Sequence, residues 1–224
     1  MIVQLRMPRK QPSSRDRIIE AAVWLFYANG YNATGVAEIL KKADVNSGSF
    51  YFFFKSKEDL LLAVLDWYLE NLEPILIKPV YEATKDPIER VFALLDGYRQ
   101  KILITEFDFT CPIGRLALEI DPERSHVHEK IAANFRGWTA AVKRCLEDAG
   151  DRLPPGMDTD ALATFVLTVM EGGVMQSRSH KSIVPFDASL EQLRQYFRFL
   201  EQPQDSPRAK EKSIRRKSIR RKSL

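Results

Sequence analysis

The chain has 224 residues, of which 45% are hydrophobic and 29% are charged, and its formal net charge is +4. This length accommodates a small domain and a larger one, and the hydrophobic content argues against a disordered chain. There is no apolar run long enough to cross a bilayer and no opening signal peptide, and two cysteines do not imply a disulfide framework. We therefore expect a cytoplasmic protein without a membrane partner.

Positive charge is concentrated at the two ends of the sequence. Residues 1–17 carry five Lys or Arg against Asp16, and residues 208–224 carry nine against Glu211, so the body between them is acidic. This distribution favours a polyanionic partner at the ends. The C-terminal repeat of Lys-Ser-Ile-Arg-Arg predicts a disordered basic tail over 203–224, which either contacts phosphates without sequence preference or has no function.

The first helix is predicted over about Ser13 to Asn29, where apolar residues recur at three- and four-residue intervals. The segment from Thr34 to Leu62 then predicts three short helices separated by polar and turn-forming residues. Their expected N-terminal caps are Thr34, Asn46 or Ser47, and Ser56. Two brief helices joined by a tight turn are typical of a helix-turn-helix motif, whose second helix enters the major groove of DNA.

The second helix of this motif combines small and aromatic residues. It opens with Ser-Gly-Ser at 47–49, and these small side chains let the backbone approach base edges closely. Phe50, Phe52 and Phe54 follow, and we expect all three to fill the core of the three helices, because aromatic residues in such a small head are usually buried.

The stretch SGSFYFFFKSKEDL at 47–60 resembles the TetR family of bacterial transcriptional regulators, as does the Gly30-Tyr31 step that ends the first helix. The resemblance implies that the partner is a double-stranded, pseudo-palindromic DNA operator. It also implies a three-helix DNA-binding head followed by a helical domain that binds a small-molecule effector and forms a homodimer.

The same resemblance assigns roles to individual residues of the head. Thr34, Tyr51 and Lys57 correspond to phosphate contacts, and 47–49 to the edge that reads bases. Phe53 stands where many members have histidine, so it packs either against DNA sugars or against the core of the head. The full DNA-binding set expected is Thr34, Ser47, Gly48, Ser49, Tyr51, Phe53, Lys55 and Lys57.

Beyond the head the apolar spacing remains helical, and we find no alternating strand pattern. A long helix is expected from Ser56 toward Ile77 with Ile75 facing inward, and Pro74 and Pro79 predict a kink and then an end. Later helices are expected to begin near Pro87, Ile113, Asp121 and Asp158, and a last one to follow a break at Pro185–Ala188.

The expected architecture is therefore all-α. It consists of a basic arm at 1–12, a helix-turn-helix domain at 13–58, a ligand-binding and dimerisation domain at 59–202, and the basic tail at 203–224.

The last two predicted helices, near 158–180 and 187–201, carry broader apolar stripes than the outside of a monomer requires. By resemblance to the TetR family they pair with their copies in a homodimer, and such a pair matches a two-fold DNA site. The alternative is that these stripes complete the core of one subunit. The expected interface residues are Leu162, Phe165, Val169, Gly173, Leu193 and Phe197.

The segment TCPIGRLALE at 110–119 resembles a motif that borders the effector pocket in a subset of TetR-like regulators, some of which respond to electrophiles through the equivalent cysteine. Cys111 precedes a predicted helix start, and the helix dipole together with Arg115 is expected to lower the pKa of its thiol. The alternative is a small buried residue that packs well. The expected effector-binding set is Trp67, Tyr98, Phe107, Cys111, Phe135, Trp138, Phe165 and Met170.

Enzymatic chemistry is not expected, and neither is a cofactor or a metal site. His126 and His128 stand two apart on a predicted helix and so face different directions, and no glycine-rich phosphate loop follows a strand. The preferred function is a homodimeric repressor released from its operator by a small molecule. The alternatives are a constitutive or nucleoid-type DNA binder without a ligand, and a helical interaction module with basic arms.

Overall fold

The structure is a computed structural model that describes residues 12–201, and these residues form an all-α fold. The predicted basic tail and all of the predicted arm except Pro12 lie outside the described residues. The described helices are α1 (Ser14–Asn29), α2 (Val36–Ala43), α3 (Ser47–Phe53), α4 (Lys57–Leu72), α5 (Lys78–Ala83), α6 (Pro87–Ile104), α7 (Pro112–Glu119), α8 (Ser125–Asp148), α9 (Thr159–His180) and α10 (Val184–Glu201). None of them combines the length and the apolar character that crossing a membrane requires.

Polar side chains cap the helices of the head. Ser13 and Asp16 form a reciprocal capping box at the start of α1. The Asn46 side chain accepts the Ser49 N–H at 2.8 Å and begins α3, and the Ser56 hydroxyl accepts the Asp59 N–H at 3.0 Å and begins α4. These side chains satisfy N–H groups that have no partner inside the helix, so they fix where each helix starts.

Thr34 does not cap α2, contrary to the sequence-based expectation. The cap position is Gly35, which provides no side-chain hydrogen bond. Thr34 is only 1% exposed, and its hydroxyl donates to the Gly30 carbonyl at 2.7 Å. The buried hydroxyl therefore ties the loop before α2 to the end of α1.

The helix after the head changes its hydrogen-bond pattern near Pro74 and continues past Pro79. A π-helical segment, Glu73–Ile77, interrupts it at Pro74, because proline has no N–H for the regular helical bond. The chain then continues as α5, with Pro79 in the first turn, where proline is tolerated. The expected stop at Pro79 is therefore wrong, and so is the inward position of Ile75, which is 41% exposed.

The break before α10 also lies earlier than the sequence suggested. Lys181 has left-handed backbone geometry with φ 49°, and α10 starts at Val184 with Pro185 in its first turn. Gly173 lets α9 and α10 approach each other, since a Cβ there would lie 2.8 Å from the Phe186 ring.

The buried apolar side chains form two clusters. One combines α1, α2 and α3 with α4, with α7 through Ile113 and Leu116, and with the start of α8 through Val127 and Ile131. The other joins α6 to the rest of α8 and to α9 and α10. The three-helix head therefore shares a core with α7 and with the start of α8.

Candidate DNA-reading surface and effector site

Helix α3 presents most of the predicted DNA-binding residues at the surface. Ser47, Gly48 and Lys55 are exposed, and Ser49 is partly exposed. Tyr51 is 55% exposed, and Phe53, at 37%, packs against its aromatic neighbours while keeping an edge in solvent.

Two residues of the head, Thr34 and Phe52, differ from the expectation. Thr34 is buried, so its hydroxyl is not available to a phosphate. Phe50 and Phe54 fill the core as expected, but Phe52 is 75% exposed. The reason is the helix period: residues two apart lie on opposite sides, so Phe52 cannot share the inner face of Phe50.

Lys57 is partly enclosed at the start of α4. Its ammonium lies 4.2 Å from the centroid of the Tyr31 ring, which is a favourable cation–π distance. Burial, followed by the nearby Arg124 charge, lowers the pKa of Lys57. The stacked position holds the lysine beside the turn that leads into α2.

A polar contact between α7 and the end of α1 was not foreseen from the sequence. The Glu119 carboxylate accepts the Tyr31 N–H at 2.7 Å and the Asn32 N–H at 3.3 Å. Arg115 pairs with Glu119 at 2.7 Å and donates to the Tyr27 carbonyl at 2.8 Å. We call Arg115 and Glu119, with the backbone groups they bind at residues 27–32, the α7 latch.

The α7 latch depends on a glycine at position 30 and on contacts between residues far apart in the sequence. Gly30 adopts φ 92°, and a Cβ there would lie 2.4 Å from Glu119 Oε1, so only glycine fits under the carboxylate. The spacing of Arg115 and Glu119 by four residues was the available sequence signal, because such pairs meet on one helix face. The backbone groups that they bind could not be predicted from the sequence, because Tyr31 lies 88 positions from Glu119.

A second polar contact joins the head to α8. Glu58 on α4 accepts from Arg124 at 2.9 Å and lies 2.8 Å from His126 Nε2. His126 thus contacts a carboxylate at the surface, and within residues 12–201 no three His, Cys, Asp or Glu side chains are grouped to bind a metal ion.

A buried polar cluster lies where α7 begins. Cys111, 8% exposed, is next to Glu171 of α9, and a Cβ on Gly114 would lie 2.6 Å from Glu171 Oε2. Gly114 therefore makes room for the carboxylate against the first turn of α7. Tyr98 of α6 and Tyr68 of α4 complete this group, which we call the Cys111–Glu171 cluster.

The electrostatics of this cluster overturn the expected reactive thiolate. Burial, and then the Glu171 carboxylate, raise the pKa of the Cys111 thiol, while the N–H groups of the α7 first turn oppose this more weakly. Arg115 is engaged in the α7 latch instead of facing the thiol. Cys111 is therefore a neutral thiol.

Aromatic rings surround the cluster. Tyr98 lies 6.3 Å from Trp138 and 6.0 Å from Phe109, measured between ring centroids, and Tyr27 lies 6.3 Å from Phe109. Tyr27 and Phe109 were missed in the sequence because neither belongs to a helical stripe near the motif. Three buried side-chain atoms in the described part of the chain have no hydrogen-bond partner: Trp67 Nε1, Trp138 Nε1 and Glu171 Oε1.

The loop that leads into this cluster has unusual backbone geometry. Glu106 and Phe107 adopt φ of 50° and 68°, in the left-handed region that non-glycine residues seldom occupy. Such conformations cost on the order of 1–3 kcal/mol each and concentrate at ligand sites and switches.

The predicted effector residues differ in how deeply they are buried. Trp67, Tyr98, Cys111, Trp138 and Met170 are buried, and Phe107 and Phe135 are partly buried. Phe165 was also predicted to bind the effector, and this prediction is wrong. Its side chain is 46% exposed on the outer face of α9, where it packs against Tyr196 of α10 at 6.0 Å.

The outer face of α9 and α10 contains an apolar groove of about 810 Å³. We call it the α9–α10 groove. Its lining includes Phe165, Val169 and Tyr196, and the more deeply buried Leu162 and Leu193 form its floor.

Phe197 and Gly173 were predicted at the dimer interface, but the structure places them inside the subunit. Phe197 is 1% exposed and packs on Phe92 with ring centroids 5.4 Å apart, and Gly173 is covered by Phe186. Both complete the core of one subunit, which was the alternative considered for these stripes.

Comparison with known proteins agrees with this geometry. Residues 18–64 match the family described as bacterial regulatory proteins, tetR family, and residues 87–195 match the tetracyclin repressor-like C-terminal domain. The chain belongs to the TetR family. It is thus a helix-turn-helix transcriptional regulator, as the resemblance in its sequence implied.

Individual relatives extend over most of this TetR-family chain. The HTH-type transcriptional repressor DhaR of Mycobacterium sp. (strain GP1) is 25% identical over 178 residues, which cover 79% of this chain and 88% of DhaR. The uncharacterised regulator YxaF of Bacillus subtilis (strain 168) is 28% identical over 181 residues, covering 80% and 93%. The crystal structure of a regulatory protein TetR from Rhodobacter sphaeroides has a TM-score of 0.71 at 22% identity, covering 80% and 96%, and so shares the fold.

Proposed function

We propose that this regulator is a homodimeric repressor that leaves a pseudo-palindromic operator when a small molecule binds at the Cys111–Glu171 cluster. The observation that carries the proposal is the position of α7. Its first turn borders the buried polar cluster, and its last turn holds the end of α1 through the α7 latch. Repression itself is supported by the similarity to DhaR, which is named a repressor.

The DNA-binding part of the proposal rests on the exposed side of α3. The small residues at 47–49 begin the helix, Lys55 follows it, and Lys57 lies beside Tyr31. A two-turn helix reads few base pairs, so two copies on half-sites about one DNA turn apart are needed for a specific operator.

The second copy is proposed to bind at the α9–α10 groove. Phe165, Tyr196 and Phe199 are large apolar side chains that remain 46%, 41% and 57% exposed in one subunit. Covering them by the same surface of a partner removes apolar area from water and gives the two-fold symmetry that a palindromic operator requires.

The effector part of the proposal rests on the unpartnered atoms. Leaving a buried donor or acceptor without a hydrogen bond costs about 1–3 kcal/mol, so native proteins keep few of them without a reason. Trp138 Nε1 and Glu171 Oε1 offer a donor and an acceptor close to Tyr98 and Cys111. We therefore expect the effector to be a polar aromatic molecule that forms a hydrogen bond with each of these two atoms.

The test uses the full chain and a pool of random DNA duplexes. We expect selection to yield one inverted-repeat sequence, protected as a single sharp footprint by a dimer. A small molecule that releases this DNA should lose potency in Glu171→Gln and keep it in Glu70→Gln, which changes an exposed residue of α4. Binding without a preferred sequence would instead identify the constitutive, nucleoid-type binder.

A further inference from the structure

Helix α3 has few side chains that can read bases by hydrogen bonds. Its sequence is SGSFYFF, with no Arg, Lys, Asn or Gln. Those four residue types make the paired contacts that identify guanine and adenine in the major groove. The hydroxyls of Ser47, Ser49 and Tyr51 remain, but a hydroxyl both donates and accepts, so it discriminates poorly between bases.

The large side chain that α3 does expose is Phe52. At 75% it is the most exposed phenylalanine of residues 12–201. The Phe52 and Phe53 rings are nearly perpendicular with centroids 4.9 Å apart, and this contact limits where the Phe52 ring can turn. An apolar ring exposed to water beside the proposed reading edge is unfavourable in the free protein and marks a contact surface.

The helix period places Phe52 on the reading face. It follows Ser49 by three residues and Gly48 by four, so the three positions lie on one side of α3. Around Gly48 the space is open, since a Cβ there would meet only Asn46 Oδ1, at 3.3 Å. A close approach of the backbone at Gly48 brings the Phe52 ring, one turn further on, to the edges of the next base pairs.

We propose that Phe52 reads the 5-methyl group of thymine, and that each operator half-site contains a thymine at the position this ring faces. The inference rests on the proposed placement of α3 in the major groove. The thymine methyl is the apolar group that bases present there, and contact with it buries apolar surface of both partners. Specificity at this position then comes from apolar contact and not from a hydrogen bond.

The experiment replaces thymine by deoxyuridine in the sequence selected by the full chain. Deoxyuridine keeps the pairing and the O4 acceptor and removes the methyl alone. We expect one thymine position whose replacement weakens binding about fourfold per half-site, and about fifteenfold when both half-sites are changed, as for one buried methyl group. Fluorescence anisotropy at constant salt measures the affinity.

Protein variants then assign the effect to Phe52. Phe52→Ala should bind thymine and deoxyuridine operators equally, and its exposed position predicts an unchanged melting temperature. Leu118→Ala is the matched control, because it removes another exposed apolar side chain, on α7, and should keep the full thymine preference.

Two results would overturn the inference: a wild-type protein that is insensitive to every deoxyuridine replacement, or a Phe52→Ala protein that keeps the wild-type difference. Failure of the proposed function looks different, because the chain would then select no preferred duplex at all.

Discussion

At the scale of single residues, Glu171 and Cys111 give testable properties of the proposed effector site. Glu171 of α9 is half-buried against the first turn of α7, and its Oε1 atom has no hydrogen-bond partner. Burial raises the pKa of this carboxyl, and contact with Cys111 opposes the shift only in part. A group with a raised carboxyl pKa favours the folded state when protonated and disfavours it when ionised.

This gives a pH-dependent prediction for Glu171→Gln. The stabilising effect of the protonated form is present below pH 4.5 and is lost as the pH rises through the folded pKa. At pH 7 the amide variant should therefore be more stable than wild type, and the gain should shrink on acidification. Urea unfolding at several pH values measures it, with Glu70→Gln as the exposed control. A variant less stable than wild type at pH 7 would mean that Glu171 is a structural residue.

Cys111 yields a second prediction at this scale. Because burial and the Glu171 carboxylate raise the pKa of its thiol, iodoacetamide should alkylate Cys111 at pH 7 at least about tenfold more slowly in the folded protein than in urea. Cys145, also buried, lies 3.1 Å from the Tyr81 hydroxyl and should be slow as well. Mass spectrometry of each labelled peptide gives the two rates. Fast, selective labelling of Cys111 would restore the reactive-sensor hypothesis.

At the scale of single elements, α7 is the connection between the two proposed sites. It is eight residues long, and its first turn meets Glu171 while Glu119 at its end binds the backbone after α1. A rigid helix of this length transmits a displacement at one end directly to the other. The α1 end held in this way belongs to the core that positions α3.

The latch can be tested by Glu119→Ala. Losing the carboxylate leaves the Tyr31 N–H and the Arg115 guanidinium without their partner, which should cost about 1–3 kcal/mol of unfolding free energy. We also expect a weaker coupling between effector and operator, seen as a smaller change in operator affinity at saturating effector. Leu118→Ala changes the neighbouring residue, which is 85% exposed, and should alter neither quantity. If the coupling is unchanged in Glu119→Ala, the effector signal reaches the head through α4 and not through the α7 latch.

The elements also show how far the sequence alone could lead. Helix starts were readable where a capping side chain or proline stands in the right place, as at Ser13 and Ser56. Pro185 was misread as a break, although proline is favoured in the first turn of a helix. The exposed position of Phe52 followed from the helix period and could have been predicted. The contact of Glu119 with Tyr31 could not, because it depends on how distant helices pack.

For the whole molecule, one buried cluster supports the head and the other supports the proposed dimer face. The first ties α1–α3 to α7, and the second supports the α9–α10 groove. Both clusters include residues of α8. In a dimer held at that groove, any change in the tilt of α7 would alter the separation of the two α3 helices. Because both half-sites must be met at once, a small change in tilt weakens binding strongly.

The assembly prediction separates two phenylalanines that the sequence had grouped together. Phe165→Glu places a charge on an exposed side chain of the α9–α10 groove. The subunit should fold but fail to dimerise, since an unpaired charge in a buried interface costs several kcal/mol.

Phe197→Asp places a charge in the subunit core, where Phe197 is 1% exposed. This variant should lose about 3–5 kcal/mol of stability and unfold. Leu118→Glu is the exposed control. Sedimentation at micromolar concentration and far-UV circular dichroism distinguish a folded monomer from an unfolded chain. A dimeric Phe165→Glu protein with wild-type operator affinity would place the subunit contact elsewhere than the α9–α10 groove.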